Sequence, residues 1–132
     1  MPWGREESEW SELLHATAQF LAEQARLRRT TSYTELNAVL QQRTGAHGFD
    51  FDSDQGRAAM GALLGEVATV KLPEVGALVS SIVVYLREND AGTGFFRLAS
   101  SLGLLTPRPS GDQRLDFWAN QVKATYDYYA SR

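Results

Sequence analysis

The sequence has no cysteine, which excludes disulfides, thiolate zinc sites, cysteine nucleophiles and thiol redox chemistry in one step. It has no excess of positive charge: 13 Lys and Arg stand against 16 Asp and Glu, a net charge of −3. No overall field therefore draws the chain to nucleic acid or anionic lipid, and any such binding must be local. Long apolar runs are also missing. The longest, Val75 to Leu86, is broken by Gly76, Ser80 and Ser81, too short and too polar for a membrane span. The first residues turn acidic at Glu6 and Glu7, where a secretory signal would turn apolar. The chain thus reads as soluble and untargeted, with the cytoplasm as its expected compartment and no membrane partner. The only histidines, His15 and His47, lack the spacing of paired metal ligands, and no serine sits in a nucleophile elbow. No catalytic residue, metal or cofactor follows from these residues.

What is present suits one globular domain over residues 1–132, since 43% of the residues are hydrophobic and 22% charged. From Ser8 to Arg29 the residues Trp10, Leu13, Leu14, Thr17, Phe20, Leu21 and Ala25 recur three and four apart, which predicts a long amphipathic helix. Acidic residues crowd its start, and Arg26, Arg28 and Arg29 its end, each complementing the helix dipole. Thr30 and Thr31 are candidates for a short strand. Ser32 and Glu35 have capping-box spacing, so a second helix should run from Tyr33 to Gln42 and stop at Gly45 in the left-handed conformation.

A loop over Gly45 to Gly56 precedes a third helical pattern, Gly56 to Val67, with Pro73 placed beyond its end. Leu78 to Leu86 is rich in β-branched residues and predicts a strand. The polar stretch from Arg87 to Gly94 reads as a turn, and Phe95, Leu98, Ala99 and Leu102 form a fourth helix ended by Gly103. A final helix begins at a capping-box pair, Ser110 and Gln113, and carries an aromatic stripe that includes Trp118, Tyr126 and Tyr129. Such a stripe usually docks onto its own domain; where one domain leaves it uncovered, it becomes an interface to another protein or to a second copy. The expected fold class is mainly helical α+β.

Three local patterns carry chemistry weakly. Asp50, Asp52 and Asp54 alternate as in a calcium loop, but the turn glycine and the final glutamate of that pattern are replaced by Gln55 and Gly61. A solvated loop with Ser53 or Asp54 capping the third helix accounts for it better. Gly92-Thr93-Gly94 reads as a turn rather than a phosphate loop. Arg26, Arg28, Arg29, Arg43 and Arg57 are the densest basic set, able in principle to pair phosphates.

The order of helix, short extended segment, Tyr33-Thr34-Glu35-Leu36 helix, Gly56-Arg57-Ala58-Ala59-Met60-Gly61 helix, strand and turn resembles the winged-helix domain of alkyltransferase-like DNA-repair proteins. It is also similar to small bacterial proteins with a Tyr-x-Glu-Leu helix start. The resemblance implies a winged-helix variant with extra N- and C-terminal helices, with Tyr33 near a DNA phosphate and Arg57 entering the base stack. The family's Pro-Cys-His-Arg acceptor is absent and Ser80-Ser81-Ile82-Val83-Val84 stands in its place, so alkyl transfer is excluded for want of a thiolate. The expected function is therefore a small non-catalytic binding protein. Nucleic acid, met by Tyr33, Arg57, Arg26, Arg28 and Arg29, is the first partner class, and another protein met by Trp118, Tyr126 and Tyr129 is the second. An enzyme of undefined type is third.

Overall fold

The computed structural model describes residues 2–85 and 92–132. Among these residues, five α-helices frame one small parallel sheet: α1 (Glu7–Arg26), β1 (Thr31–Ser32), α2 (Tyr33–Thr44), α3 (Asp54–Val75), a 3-10 turn (Val79–Ile82), β2 (Val83–Val84), α4 (Thr93–Ser101) and α5 (Gly111–Ala130). The mainly helical α+β class follows directly. In register, Thr31 pairs with Val83 and Ser32 with Val84.

Local chemistry explains most of the boundaries. Ser32 accepts the Glu35 N–H at 3.0 Å and so caps α2, while the Glu35 carboxylate takes the Thr31 hydroxyl instead of closing a full capping box. Gly45, with φ of 73°, ends the helix in the left-handed region. Ser53 caps α3 through the Gly56 N–H at 2.9 Å. Ser110 and Gln113 cap α5 reciprocally, at 3.1 and 2.8 Å. Helix α1 stops at Arg26 rather than Arg29, because Arg28 takes a left-handed φ of 53°.

Further expectations are corrected. Pro73 lies inside α3, in its last turn, where the missing N–H removes one helix bond and the chain still reaches the Gly76 cap. The strand expected over Leu78 to Leu86 is a 3-10 turn followed by only two strand residues among those described. Leu86 and residues 87–91 of the turn expected over Arg87 to Gly94 lie outside them, and the end of that turn is helix instead, since α4 begins at Thr93 with Gly92 as its N-cap. The physical reason for the shortened strand is visible in α5. The Gln121 side chain accepts the Leu78 N–H at 2.7 Å, the Trp118 indole donates to the Ser81 carbonyl at 2.8 Å, and the Thr125 hydroxyl donates to the Leu78 carbonyl at 3.5 Å. Helix side chains thus satisfy backbone groups that a neighbouring strand would otherwise satisfy.

The main core joins α1, α2 and α3 with the end of α5, through Leu13, Leu21, Leu36, Leu40 and Leu63, each at most 1% exposed. A second cluster of Ala68, Leu78, Phe95, Phe96 and Ala99, with Phe117 and Trp118 against it, seats α4 on α3 and the start of α5. This second cluster brings α4 beside Tyr33.

Candidate functional site

Tyr33 opens α2, and its ring rests on Tyr85 with centroids 4.9 Å apart and the planes 37° from parallel. Both hydroxyls converge on Gly92, where a Cβ would come within 3.0 Å of the Tyr85 hydroxyl and 3.1 Å of that of Tyr33. The missing side chain lets the backbone pass that close. Burial pushes the Tyr33 phenol up to about 12; neighbouring Tyr85 adds to the shift, and a hydrogen bond from the Gly92 backbone opposes it. Tyr33 is therefore a neutral phenol at physiological pH.

Beside Tyr33 lies a pocket of about 50 Å³ formed by α3, the 3-10 turn and α4. Gly61 and Gly65 line it from α3, and their i, i+4 spacing removes two side chains from one helix face. Leu64, Phe95 and Leu98 make its apolar walls. Ser80 contributes the exception: it lines the pocket, is 7% exposed, and its hydroxyl has no hydrogen-bond partner among the described residues. Among the same residues the hydroxyl of fully buried Ser81 is also unpartnered. Leaving such a group unsatisfied costs about 1–3 kcal/mol, a cost that draws attention to what would satisfy it.

Arg57 lies one turn before Gly61 on the same face of α3. Its exposed guanidinium pairs with Asp54 and donates to the Phe51 carbonyl. Tyr33 and Arg57 therefore share the α2–α3 side of the molecule. The other three arginines are elsewhere. Arg28 pairs with Asp127 of α5 at 3.0 Å, Arg26 lies 5.8 Å from the centre of the Tyr129 ring, and Arg29 is exposed. All three follow or end α1, whereas the segment leading to Arg57 is held near the start of α1, where Arg5 sits 4.4 Å from the centre of the Phe49 ring. A 20-residue helix separates its ends by about 30 Å, so the arginines form two groups rather than one patch.

The aromatic stripe of α5 is largely absorbed by the domain itself. Tyr129 is buried in the main core, Tyr126 is half-buried against it, and half-buried Trp118 is held by its bond to Ser81. The Asp50–Asp54 loop is occupied with its own turn: the Asp50 carboxylate accepts the Asp52 N–H at 3.0 Å, and Asp54 pairs with Arg57. Among the described residues, no three His, Asp or Glu side chains are grouped so as to hold a metal. Among them, too, no helix is long and apolar enough to cross a membrane.

Sequence reasoning picked out Tyr33 and Arg57 but missed Ser80 as a buried hydroxyl and Gly61 and Gly65 as pocket formers. The Gly-x-x-x-Gly spacing within a helical pattern was the available signal. No protein-family model, curated protein or solved structure matches the chain.

Proposed function

We propose that this protein is a non-catalytic nucleic-acid-binding module of winged-helix type. In this reading the pocket beside Tyr33 receives the edge of an unstacked base, and Arg57 meets a neighbouring phosphate. The observation that carries it is Ser80, which lines a pocket that also has an aromatic wall and whose buried hydroxyl has no partner among the described residues. Bases that leave the stack are recognised by such a combination of aromatic contact and a directed hydrogen bond. Arg57 supplies the charge, on the same face of α3 as the pocket.

Charge limits the strength of binding. Because the net charge is −3 and Asp54 already pairs with Arg57, affinity should be modest and selectivity should come from the pocket. With Arg57 as the main phosphate contact, the log–log salt slope on a duplex should be near −0.9, and Arg57→Ala should flatten it by about 0.9. Titration of single-stranded and duplex oligonucleotides across a salt series tests this, and absence of binding at low salt rejects the proposal. Ser80→Ala separates function from folding. Removing an unpartnered buried hydroxyl should stabilise the free protein by about 1 kcal/mol, while oligonucleotide binding weakens several-fold. A variant that is more stable and binds equally well would dismiss Ser80 as a recognition group.

Partner binding through α5 is the second reading, favoured by Leu115, which is 56% exposed on that helix. It requires no dependence on Arg57 or Ser80.

A further inference from the structure

From Ala91 to Gly111 the chain contains no aspartate or glutamate, although the protein as a whole is acidic. That stretch includes α4 and the connection to α5, and with the first turn of α5 it encloses a groove of about 300 Å³. Arg97 lines it from α4 and Arg114 from α5, with the rings of Pro107 and Pro109 between them. Among the described residues, neither arginine is in an ion pair. The Arg114 guanidinium lies 5.7 Å from the centre of the Phe96 ring, which also lines the groove.

The carboxylates nearest in sequence on α5 point away. Asp112 and Asp116 are two residues to either side of Arg114, about 200° around a helix that turns 100° per residue. The Ser100 hydroxyl donates to the Thr106 carbonyl at 2.9 Å and ties α4 to the proline-containing connection. The groove therefore combines flat apolar walls with two guanidiniums that are in no ion pair among the described residues.

We infer that this groove is a binding site for a nucleotide, with its phosphate monoester held between Arg97 and Arg114 and its ring system on the Phe96, Pro107 and Pro109 surface. Phosphate oxygens match the planar donor forks of two guanidiniums better than a single carboxylate does. The groove also reaches the lower end of the size range of small-molecule sites. None of its lining residues lines the pocket beside Tyr33, so the site is independent of the function proposed above.

Calorimetric titration of the full chain at low ionic strength with adenosine 5′-monophosphate and with adenosine tests the assignment. The nucleotide should bind saturably, at least about tenfold more tightly than the nucleoside. Arg97→Gln and Arg114→Gln should each weaken it by roughly tenfold, the effect of losing a charge-assisted contact, and Arg57→Gln should leave it unchanged. The inference is overturned if millimolar nucleotide gives no saturable binding, if adenosine binds equally well, or if neither groove variant changes the affinity. Nucleotide binding in a protein that ignores oligonucleotides would uphold this site and reject the α2–α3 reading.

Discussion

Gly56→Ala is expected to destabilise the protein by about 3 kcal/mol, at the upper end of what forced overpacking costs. Gly56 lies in the first turn of α3, and a Cβ there would fall on the Asp50 carbonyl oxygen, with the Asp50 carbonyl carbon only 2.6 Å away and its nitrogen 2.9 Å away. Those are backbone atoms and cannot rotate aside. The same carbonyl accepts the Ser53 N–H at 3.2 Å and the Ser53 hydroxyl at 3.0 Å. Displacing it therefore also disturbs the residue that caps α3. At an unobstructed helix position the same exchange is favourable by about 1 kcal/mol, so the sign of the change is itself diagnostic. Gly61 provides the control: a Cβ there meets nothing within 4 Å, and Gly61→Ala should stabilise α3 while narrowing the pocket beside Tyr33. Urea unfolding of both variants should move their midpoints in opposite directions. Equal midpoints would refute the close approach of Gly56 to Asp50.

The second large effect is expected at high pH. The Tyr33 phenol is raised from 10.0 to about 12 in the folded protein, so the unfolded chain releases this proton first. The associated stability is present in full below pH 10 and is lost as pH rises through the folded value, because the unfolded state then binds fewer protons. A difference of two units corresponds to about 2.7 kcal/mol at most. Tyr33→Phe keeps the ring against Tyr85 and removes the ionisable group, so it should show a shallower loss between pH 10 and pH 12. Tyr126 and Tyr129, chiefly through burial, and Tyr128, chiefly through its hydrogen bond to Glu74, are also shifted upward and supply the residual slope in both proteins. Denaturant unfolding on either side of this window measures the difference, and identical slopes would mean that Tyr33 ionises as freely in the folded chain as in the unfolded one.

Both effects depend on contacts that lie at very different distances along the chain. Gly56 meets Asp50, six residues away, and a loop ending in a cap at Ser53 or Asp54 was already readable there. Tyr33 meets Tyr85 and Gly92, and no local pattern ties residues so far apart. The same division runs through the fold. Caps at Ser32, Ser53 and Ser110 and the stop at Gly45 were legible because they are made within three or four residues by groups whose preferences are intrinsic.

The sequence by itself determined the helical framework, the absence of thiol chemistry and the position of Tyr33 at a helix start, all of which follow from composition and short-range spacing. Tertiary structure decided that Leu78 to Val84 is mostly not a strand, because the backbone bonds this β-prone segment would make to a neighbour are made instead by Gln121, Trp118 and Thr125. It decided that the arginines are divided between the two ends of α1, which spacing along the chain could not reveal. It also decided the chemistry of Ser80. A serine hydroxyl is at home in water, in a cap or in a core, and only the packing of α3 and α4 around it leaves this one buried beside a pocket and unpaired among the described residues.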